Sequence, residues 1–303
     1  MTTDTRVRVG SIELKNPIMA ASGTAGYGSE FAPYFDLSSI GAIVTKSIAA
    51  YEWPGNPAPR VHPTPQGLIN AVGLQGPGVR HWLDHELSDL LATGATVVCS
   101  IWGRSVDDYR AAADILAVAP PQVVAIEVNL SCPNLEGRGS IFAHDATVSA
   151  EVIAATAGCG RPRWAKLSPN TDRIVEVAAA VHEAGAEAVT LINTLLGMVI
   201  DERTLKPALG NGGGGLSGRA IHPIAVRAVY DVRRAHPDLP IVGVGGVASG
   251  WDAAELMLAG ANAVQVGTAS FADPKACPNV LAELIDFAVR RGIPRLSGLG
   301  AVM

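Results

Sequence analysis

The chain has 303 residues, of which 48% are apolar, 17% are charged and 33 are glycine. This composition excludes a disordered chain, which combines low hydrophobicity with high charge, and the glycines lack the three-residue period of collagen. The net charge of −5, from 23 basic and 28 acidic residues, forms no block of like charge, so we expect no nucleic-acid partner and no membrane partner.

Eight apolar runs rich in Val and Ile are predicted as buried strands, and helix-like stretches alternate with them. The strands are predicted at residues 16–22, 41–47, 95–102, 123–130, 163–168, 188–194, 240–246 and 263–269. The helices are predicted at residues 79–91, 105–116, 147–157, 172–183, 222–235 and 251–258. Strands that are apolar throughout and alternate with helices indicate a parallel sheet buried on both faces. Eight such units favour an α/β fold, a closed (β/α)8 TIM barrel, over an open doubly wound sheet.

Two connections are longer than the usual turns of such a barrel. Residues 49–78 are rich in proline, and residues 195–219 end in the glycine-rich run GNGGGGLSG. Because each connection lies between strands of one sheet, we interpret both as loop insertions over the C-terminal face rather than as domain linkers. The expected organisation is therefore a single domain over residues 1–303.

Polar residues follow the predicted strands at their carboxyl ends, which meet at one face of a barrel. They are Ser22, Lys46, Ser47, Ser100, Asn129, Cys132, Lys166, Ser168, Asn193, Thr194, Gly245, Gly246, Gly267 and Thr268. The chain has 18 arginines and only five lysines, yet Lys46 and Lys166 both stand inside apolar strands at this face. Extension of the two side chains along the barrel rim into solvent is the alternative to a role in binding an anion.

Glycine-rich turns follow the seventh and eighth predicted strands, where barrels often bind phosphate through backbone N–H groups. The turns read GVGGV at residues 243–247 and VGTA at residues 266–269. The first also matches a dinucleotide pattern, but that site requires an acidic residue about 20 positions later, where this chain has Gly267 and Thr268. We therefore predict a phosphate site, with close packing of strand on helix as the alternative.

Cys132 and a set of asparagines complete the predicted site. Cys132 lies in the run NLSCPN, where Pro133 and the polar loop after it take the thiol out of the strand. Inert packing is the simpler interpretation for Cys99, Cys159 and Cys277. Donors and acceptors are added at the same face by Asn70, Asn129, Asn134 and Asn193. Together with the two lysines they predict a site for a planar, polar, anionic molecule.

The remaining sequence signals concern metals and location. The four cysteines are widely separated and form no C-x-x-C pair, so neither a zinc site nor an iron–sulfur cluster is predicted in this chain. The amino terminus, MTTDTRVRVG, lacks the apolar core of a signal peptide, and no stretch reads as a membrane span. We therefore expect a cytoplasmic protein.

Residues 16–269 contain, in this order, the motifs NPIMAASGTAGYG, TKS, NAVGLQ, NLSCPN, AKLSPN, INTLLGMVID, GGLSG, GVGGV and VGTA. In sequence and in order, these motifs resemble those of the flavin-dependent dihydroorotate dehydrogenases, specifically class 1B. The pair NLSCPN and KLSPN is the specific part of this signal. The resemblance implies a barrel that binds one FMN per chain and oxidises (S)-dihydroorotate to orotate in de novo pyrimidine (UMP) biosynthesis.

The resemblance also implies roles for individual residues. Cys132 would be the general base that takes a proton from one substrate carbon while a hydride passes from the adjacent carbon to the flavin. Lys166 would stabilise the negative charge of the reduced flavin, and Lys46 would contact flavin and substrate. Orotate would be held by Lys46, Asn70, Ala71, Val72, Gly73, Leu74, Asn129, Asn134, Asn193 and Thr194. FMN would be held by Ser22, Lys46, Ser47, Ser100, Asn129, Lys166, Ile192, Gly218, Gly245, Gly246, Gly267 and Thr268.

Class 1B members pass electrons to a separate subunit that carries FAD and a [2Fe–2S] cluster and uses NAD. The resemblance therefore implies a homodimer of this chain, joined to such an electron-transfer subunit in a heterotetramer. Alternatives are a fumarate-using enzyme similar to class 1A, a related flavin barrel that acts on another pyrimidine, and a flavin-binding subunit without turnover of its own. A more remote alternative is a Schiff-base lyase that uses Lys166.

Two positions depart from the pattern of the family. Gly76 stands in GLQGPG where the family often has asparagine, and Ser100 ends the third strand where the family commonly places an asparagine near the flavin. Neither change touches Cys132 or the two lysines. We therefore expect these departures to affect the tightness of flavin binding more than the identity of the substrate.

Overall fold

A computed structural model describes residues 3–131 and 142–301. The strands are β1 (Val7–Val9), β2 (Ile12–Leu14), β3 (Ile18–Ala20), β4 (Ala42–Val44), β5 (Val61–Thr64), β6 (Gly67–Asn70), β7 (Val97–Ile101), β8 (Val123–Asn129), β9 (Arg163–Lys166), β10 (Ala188–Leu191), β11 (Leu195–Gly197), β12 (Ile200–Asp201), β13 (Lys206–Pro207), β14 (Gly214–Gly218), β15 (Ile241–Val244) and β16 (Ala263–Val266). The helices are α1 (Val79–His81), α2 (Leu87–Ala92), α3 (Val106–Leu116), α4 (Ala146–Ala155), α5 (Ile174–Glu183), α6 (His222–Ala235), α7 (Gly250–Leu258), α8 (Ala269–Ala272) and α9 (Ala276–Arg290). Short 3-10 segments lie at Leu37–Ser39, Phe142–His144, Thr156–Cys159, Arg219–Ile221 and Leu296–Ala301.

The fold is a closed parallel barrel with helices between its strands. In chain order around the barrel the strands are β3, β4, β7, β8, β9, β10, β15 and β16, and β16 pairs with β3 to close it. Each of the eight predicted runs contains one of these strands. Every residue of β3, β4 and β7 is buried, as two-sided burial in a parallel sheet requires. The predicted (β/α)8 TIM barrel is therefore confirmed.

The six predicted helices are present, and their ends follow from local chemistry. Ser105 and Ser249 cap α3 and α7 by accepting backbone N–H bonds, and Asp145 does the same for α4. The first helix is interrupted, since a π-helical turn at Trp82–Glu86 separates α1 from α2. Among the helices in the two described segments, none has both the length and the apolar character needed to cross a bilayer.

The sequence analysis missed α9, the longest helix of the structure's described part. α9 packs against α7 and β3 and so covers the barrel where the last strand meets the first. It buries Cys277, Val280, Leu284 and Ala288, which recur at steps of three and four residues. This helical period was readable in the sequence.

The two long insertions are more ordered than the loops that the sequence suggested. The first supplies β5 and β6, the second supplies β11 and β14, and together they form an antiparallel sheet in the order β11-β14-β6-β5. Glycines allow the close pairing, because a Cβ on Gly214 would clash with the Asn70 carbonyl oxygen and a Cβ on Gly67 would clash with the Ser217 carbonyl oxygen. The proline-rich and glycine-rich runs therefore meet as one sheet.

Candidate functional site

A cavity of about 880 Å³ opens at the carboxyl ends of the barrel strands, beneath the insertion sheet. Within the described part of the chain, every predicted site residue except Ser100 and Ser168 lines it. Cys132 and Asn134 lie outside the described residues. Lys46 and Lys166 are the charged side chains that the described residues contribute to its lining.

Lys166 lies at the end of β9 and makes an ion pair inside the barrel. Its Nζ is 3.3 Å from Oε1 of Glu127, a residue of β8 whose side chain has no solvent exposure. The other carboxylate oxygen accepts hydrogen bonds from Gln265 Nε2 at 2.6 Å and Thr190 Oγ1 at 3.2 Å. A buried carboxylate is tolerated when it is paired and fully hydrogen-bonded, as Glu127 is here.

The sequence analysis did not single out Glu127, although a signal for it existed. Glu127 is the acidic residue in the otherwise apolar and amide run VVAIEVNL. A charge in the middle of a strand that is buried on both faces requires a partner. Its partner, Lys166, stands in the neighbouring strand of the barrel.

Asn129 links the strands that form the floor of the cavity. Its Oδ1 accepts from Asn193 Nδ2 at 3.0 Å and from the Ser131 backbone N–H at 3.1 Å, and its Nδ2 donates to Ser47 Oγ at 3.2 Å. The backbone carbonyl of Asn129 accepts from the Tyr109 hydroxyl at 2.6 Å. These bonds fix the orientation of two carboxamides that face the same ligand space.

Ser100 belongs to the support of the site rather than to its lining. It is fully buried, and its hydroxyl lies 2.9 Å from Ser47 Oγ, which in turn lies 3.3 Å from Ser22 Oγ. Ser22 and Ser47 line the cavity. The Ser100 hydroxyl therefore reaches the ligand space through Ser47.

The turn after β15 forms a glycine-lined end of the cavity. Gly246 has φ +69°, and a Cβ there would lie 2.7 Å from His222 Cβ and 2.8 Å from the Gly218 carbonyl oxygen. His222 supports the turn, because its Nδ1 lies 2.8 Å from the Gly245 oxygen and its Nε2 lies 3.1 Å from Glu255 Oε2. This close packing leaves room only for glycine at position 246.

The insertion sheet forms a wall of the cavity. Asn70 Nδ2 donates to the Gly215 carbonyl oxygen at 3.3 Å, across the β6–β14 pair. Ser217 accepts from the Thr268 hydroxyl at 2.8 Å, which ties this wall to the turn after β16. The sequence analysis did not include Ser217, which also lines the cavity.

The glycine at position 76 is explained by Tyr27. A Cβ on Gly76 would lie 3.0 Å from the Tyr27 hydroxyl oxygen, which donates to the Gln75 carbonyl. Burial, with smaller contributions from Glu30 and Glu86, raises the pKa of Tyr27 to about 12. The phenol thus fills the space that a larger residue at position 76 would need.

The other cysteines are inert packing groups in this structure. Cys99, Cys159 and Cys277 are buried and unpaired with one another. Burial raises the pKa of the thiols of Cys99 and Cys277 to about 12, which suppresses the reactive thiolate. Across residues 3–131 and 142–301, no group of three or more His, Cys, Asp or Glu side chains is arranged to hold a metal ion.

Comparison with known proteins agrees with this geometry. The family model described as dihydroorotate dehydrogenase matches residues 5–287. A relative from Geotalea daltonii is 44% identical over 291 residues, which cover 96% of this chain and 95% of that protein. Relatives from Trichlorobacter lovleyi and Anoxybacillus flavithermus are 45% and 46% identical, over 97% and 92% of this chain and 96% and 89% of their own. All three are named dihydroorotate dehydrogenase B (NAD(+)), catalytic subunit. The chain belongs to the dihydroorotate dehydrogenase family.

Proposed function

We propose that this chain is the catalytic subunit of a class 1B enzyme that oxidises (S)-dihydroorotate to orotate in de novo pyrimidine biosynthesis, and that residues 1–303 form one FMN-binding domain. The observation that carries the proposal is one cavity lined by two chemically different sets of groups. One set is the Lys166 ammonium and the carboxamides of Asn129 and Asn193, and the other is the glycine turns after β15 and β16. The names of the relatives support the same activity.

The residues of the cavity fit FMN. The volume of about 880 Å³ lies within the range of cofactor sites and leaves room for a substrate beside a flavin. The turns at Gly245, Gly246 and Gly267 carry no side chains and let a phosphate approach the backbone closely. FMN, when bound, supplies the acceptor for the hydride.

The chain's own residues bind the ligands, orient the substrate and accept its proton. Lys166 holds a positive charge at the cavity floor, where it favours ligands that carry or develop negative charge. Asn129 and Asn193, fixed by their mutual hydrogen bond, orient the carbonyl and N–H groups of the substrate. Cys132 is proposed as the base that accepts the substrate's C–H proton on its Sγ atom.

The ion pair argues against Schiff-base chemistry at Lys166. An amine that attacks a carbonyl must be unprotonated, with a lone pair available. Lys166 instead lies 3.3 Å from the Glu127 carboxylate and is 5% exposed. This hydrogen bond to Glu127 engages the nitrogen and so argues against its use as a nucleophile.

We further propose that electrons leave through a partner subunit that carries FAD and a [2Fe–2S] cluster and uses NAD. The words "catalytic subunit" and "NAD(+)" in the names of the relatives support this proposal. The proposed assembly is a heterotetramer built on a homodimer of this chain. Copurification from the host with an iron assay tests it, and turnover of the isolated chain with fumarate would instead favour the class 1A type of acceptor.

The decisive experiment is a flavin spectrum of the purified protein before and after anaerobic addition of dihydroorotate. We expect FMN to be bound and to be bleached by the substrate. A colourless protein that FMN does not reconstitute would refute the proposal.

Two cysteine variants separate the proposed base from the packing thiols. Cys132→Ala is expected to keep FMN bound and to slow its reduction at least 100-fold, within the usual range for loss of a general base. Cys277→Ala is the matched control, because Cys277 is buried in α9 away from the cavity lining. Equal reduction rates in the two variants would remove the base assignment.

A further inference from the structure

A carboxylate is sealed inside the barrel directly beneath the cavity. Glu127 has no solvent exposure and receives contacts from three other strands, through Lys166 of β9, Thr190 of β10 and Gln265 of β16. Removing a carboxylate and an ammonium from water carries a large desolvation penalty for each ion. Apolar residues of similar volume often fill such a space without loss of stability. The fold alone therefore does not explain why these charges are present.

The strand register shows which way the pair faces. Asn129 pairs with Lys166 across β8 and β9, while Glu127 pairs with Trp164, one pleat further from the cavity. Lys166 and Asn129 line the cavity, and Glu127 does not. Glu127 thus touches the ligand space only through the Lys166 ammonium.

We propose that Glu127 is a positioning residue that fixes the place and the charge of Lys166 against the bound cofactor. This inference rests on the proposed binding of FMN. Glu127 is the anionic partner that the described residues give Lys166, and the groups on its second oxygen, Thr190 and Gln265, are neutral. Lys46 is the other charged side chain that the described part of the chain contributes to the cavity lining.

The variant Glu127→Gln isolates the charge, and the structure offers it a way to fold. Gln265 Oε1 is buried and has no hydrogen-bond partner among the described residues, while its Nε2 donates to Glu127. Rotation of the Gln265 amide would present Oε1 to the new amide N–H of the variant. The shape at position 127 is then kept, the Thr190 hydroxyl accepts from the new amide instead of donating to it, and Lys166 loses its counter-ion.

The test is the midpoint potential of bound FMN as a function of pH, measured for the native protein and for Glu127→Gln between about pH 6 and about pH 9. A buried ammonium without a counter-ion loses its proton more readily, so the variant's potential is expected to fall below the native value increasingly as pH rises. The rate of flavin reduction by dihydroorotate is expected to drop at least tenfold at the alkaline end and to recover toward acid pH. Parallel potentials across the range, with reduction rates within about twofold of native, would overturn the proposal.

Two further variants keep the result interpretable. Thr190→Val removes one hydrogen bond to Glu127 but leaves the ion pair, so it is expected to lower the melting temperature while keeping the native pH profile of the potential. Glu127→Asp keeps the charge but moves it away from Lys166 by the length of one methylene group. We therefore expect the midpoint potential to keep its native pH profile, while the rate of flavin reduction falls several-fold at unchanged KM. If Glu127→Gln does not fold, a native reduction rate in Glu127→Asp overturns the proposal on its own.

The outcomes also separate this inference from the proposed function. A native protein that binds no FMN refutes the function. A native protein that binds FMN and is bleached by dihydroorotate, with a Glu127→Gln variant that matches it at every pH, refutes only the role of Glu127.

Discussion

The turn after β15 gives a quantitative prediction, because alanine at position 246 must change the backbone. Gly246 has φ +69°, and a Cβ would lie 2.7 Å from His222 Cβ, 2.8 Å from the Gly218 oxygen and 3.0 Å from the His222 nitrogen. A left-handed conformation costs a non-glycine residue about 1–2 kcal/mol, and overpacking costs about 1–3 kcal/mol more. We therefore expect Gly246→Ala to destabilise the native turn by about 3 kcal/mol.

Gly267→Ala is the matched comparison, since this glycine lines the same cavity without the same strain. A Cβ at Gly267 would meet Ala21 Cβ at 3.5 Å and Thr24 Cγ2 at 3.9 Å, which are ordinary contacts. The stability of the flavin-free protein should therefore stay unchanged. Any loss of FMN affinity in this variant then reports contact between position 267 and the ligand.

Thermal unfolding of the flavin-free proteins and FMN titration by flavin fluorescence measure the two effects. Gly246→Ala is expected to lower the melting temperature, or to weaken FMN binding by about 100-fold if the turn shifts to relieve the strain. Gly267→Ala is expected to weaken FMN binding only. A Gly246→Ala protein with native stability and native affinity would refute the argument from φ and packing.

Three further predictions concern stability, pH and the support of the glycine turn. The Arg161 guanidinium donates to five backbone carbonyls, including those of Val123 and Leu116. Arg161→Met should therefore lower the free energy of unfolding, measured by denaturant titration, by about 3 kcal/mol. A change near zero would contradict this prediction. Burial raises the pKa of Cys99 to about 12 from its ordinary 9.0, so the unfolded chain releases this proton at lower pH than the folded chain, and stability should fall as pH rises above about 9. The melting temperature of Cys99→Ala should fall less steeply with pH than that of the native protein. Equal pH slopes in the two proteins would contradict this prediction. His222→Phe removes the hydrogen bond to the Gly245 carbonyl oxygen. It should raise the dissociation constant of FMN, measured by fluorescence titration, about fivefold to tenfold. An unchanged dissociation constant would show that the turn does not need this hydrogen bond.

The barrel could be predicted because its signal is local. Each strand is an apolar run, and strands buried on both faces leave few alternatives to a parallel sheet between helices. Lys46 and Lys166 were predictable for the same reason, since a charge inside such a run is conspicuous. The predicted strand-end residues of the described part, apart from Ser100 and Ser168, lie at one cavity because the barrel brings all carboxyl ends to one face.

The rest depends on contacts between distant segments. That Ser100 lies behind Ser47 follows from the packing of two neighbouring strands, which the sequence of either strand does not show. The Tyr27 hydroxyl explains why glycine stands at position 76, but this contact exists only because the loop after β3 packs against the first insertion in the folded chain. The insertion sheet likewise pairs proline-rich and glycine-rich runs, whose composition indicates turns. Sequence reasoning without pairing information treats each such run alone.

The insertion sheet has a consequence for engineering of the enzyme. Its two halves come from segments 145 residues apart, as the bond between Asn70 and Gly215 shows. Grafting only one insertion from a relative would leave a strand edge without its partner, and unpaired edges promote aggregation. The wall above the cavity is therefore a module encoded in two places. Both segments therefore have to be transplanted together if the wall is to keep its strand pairing.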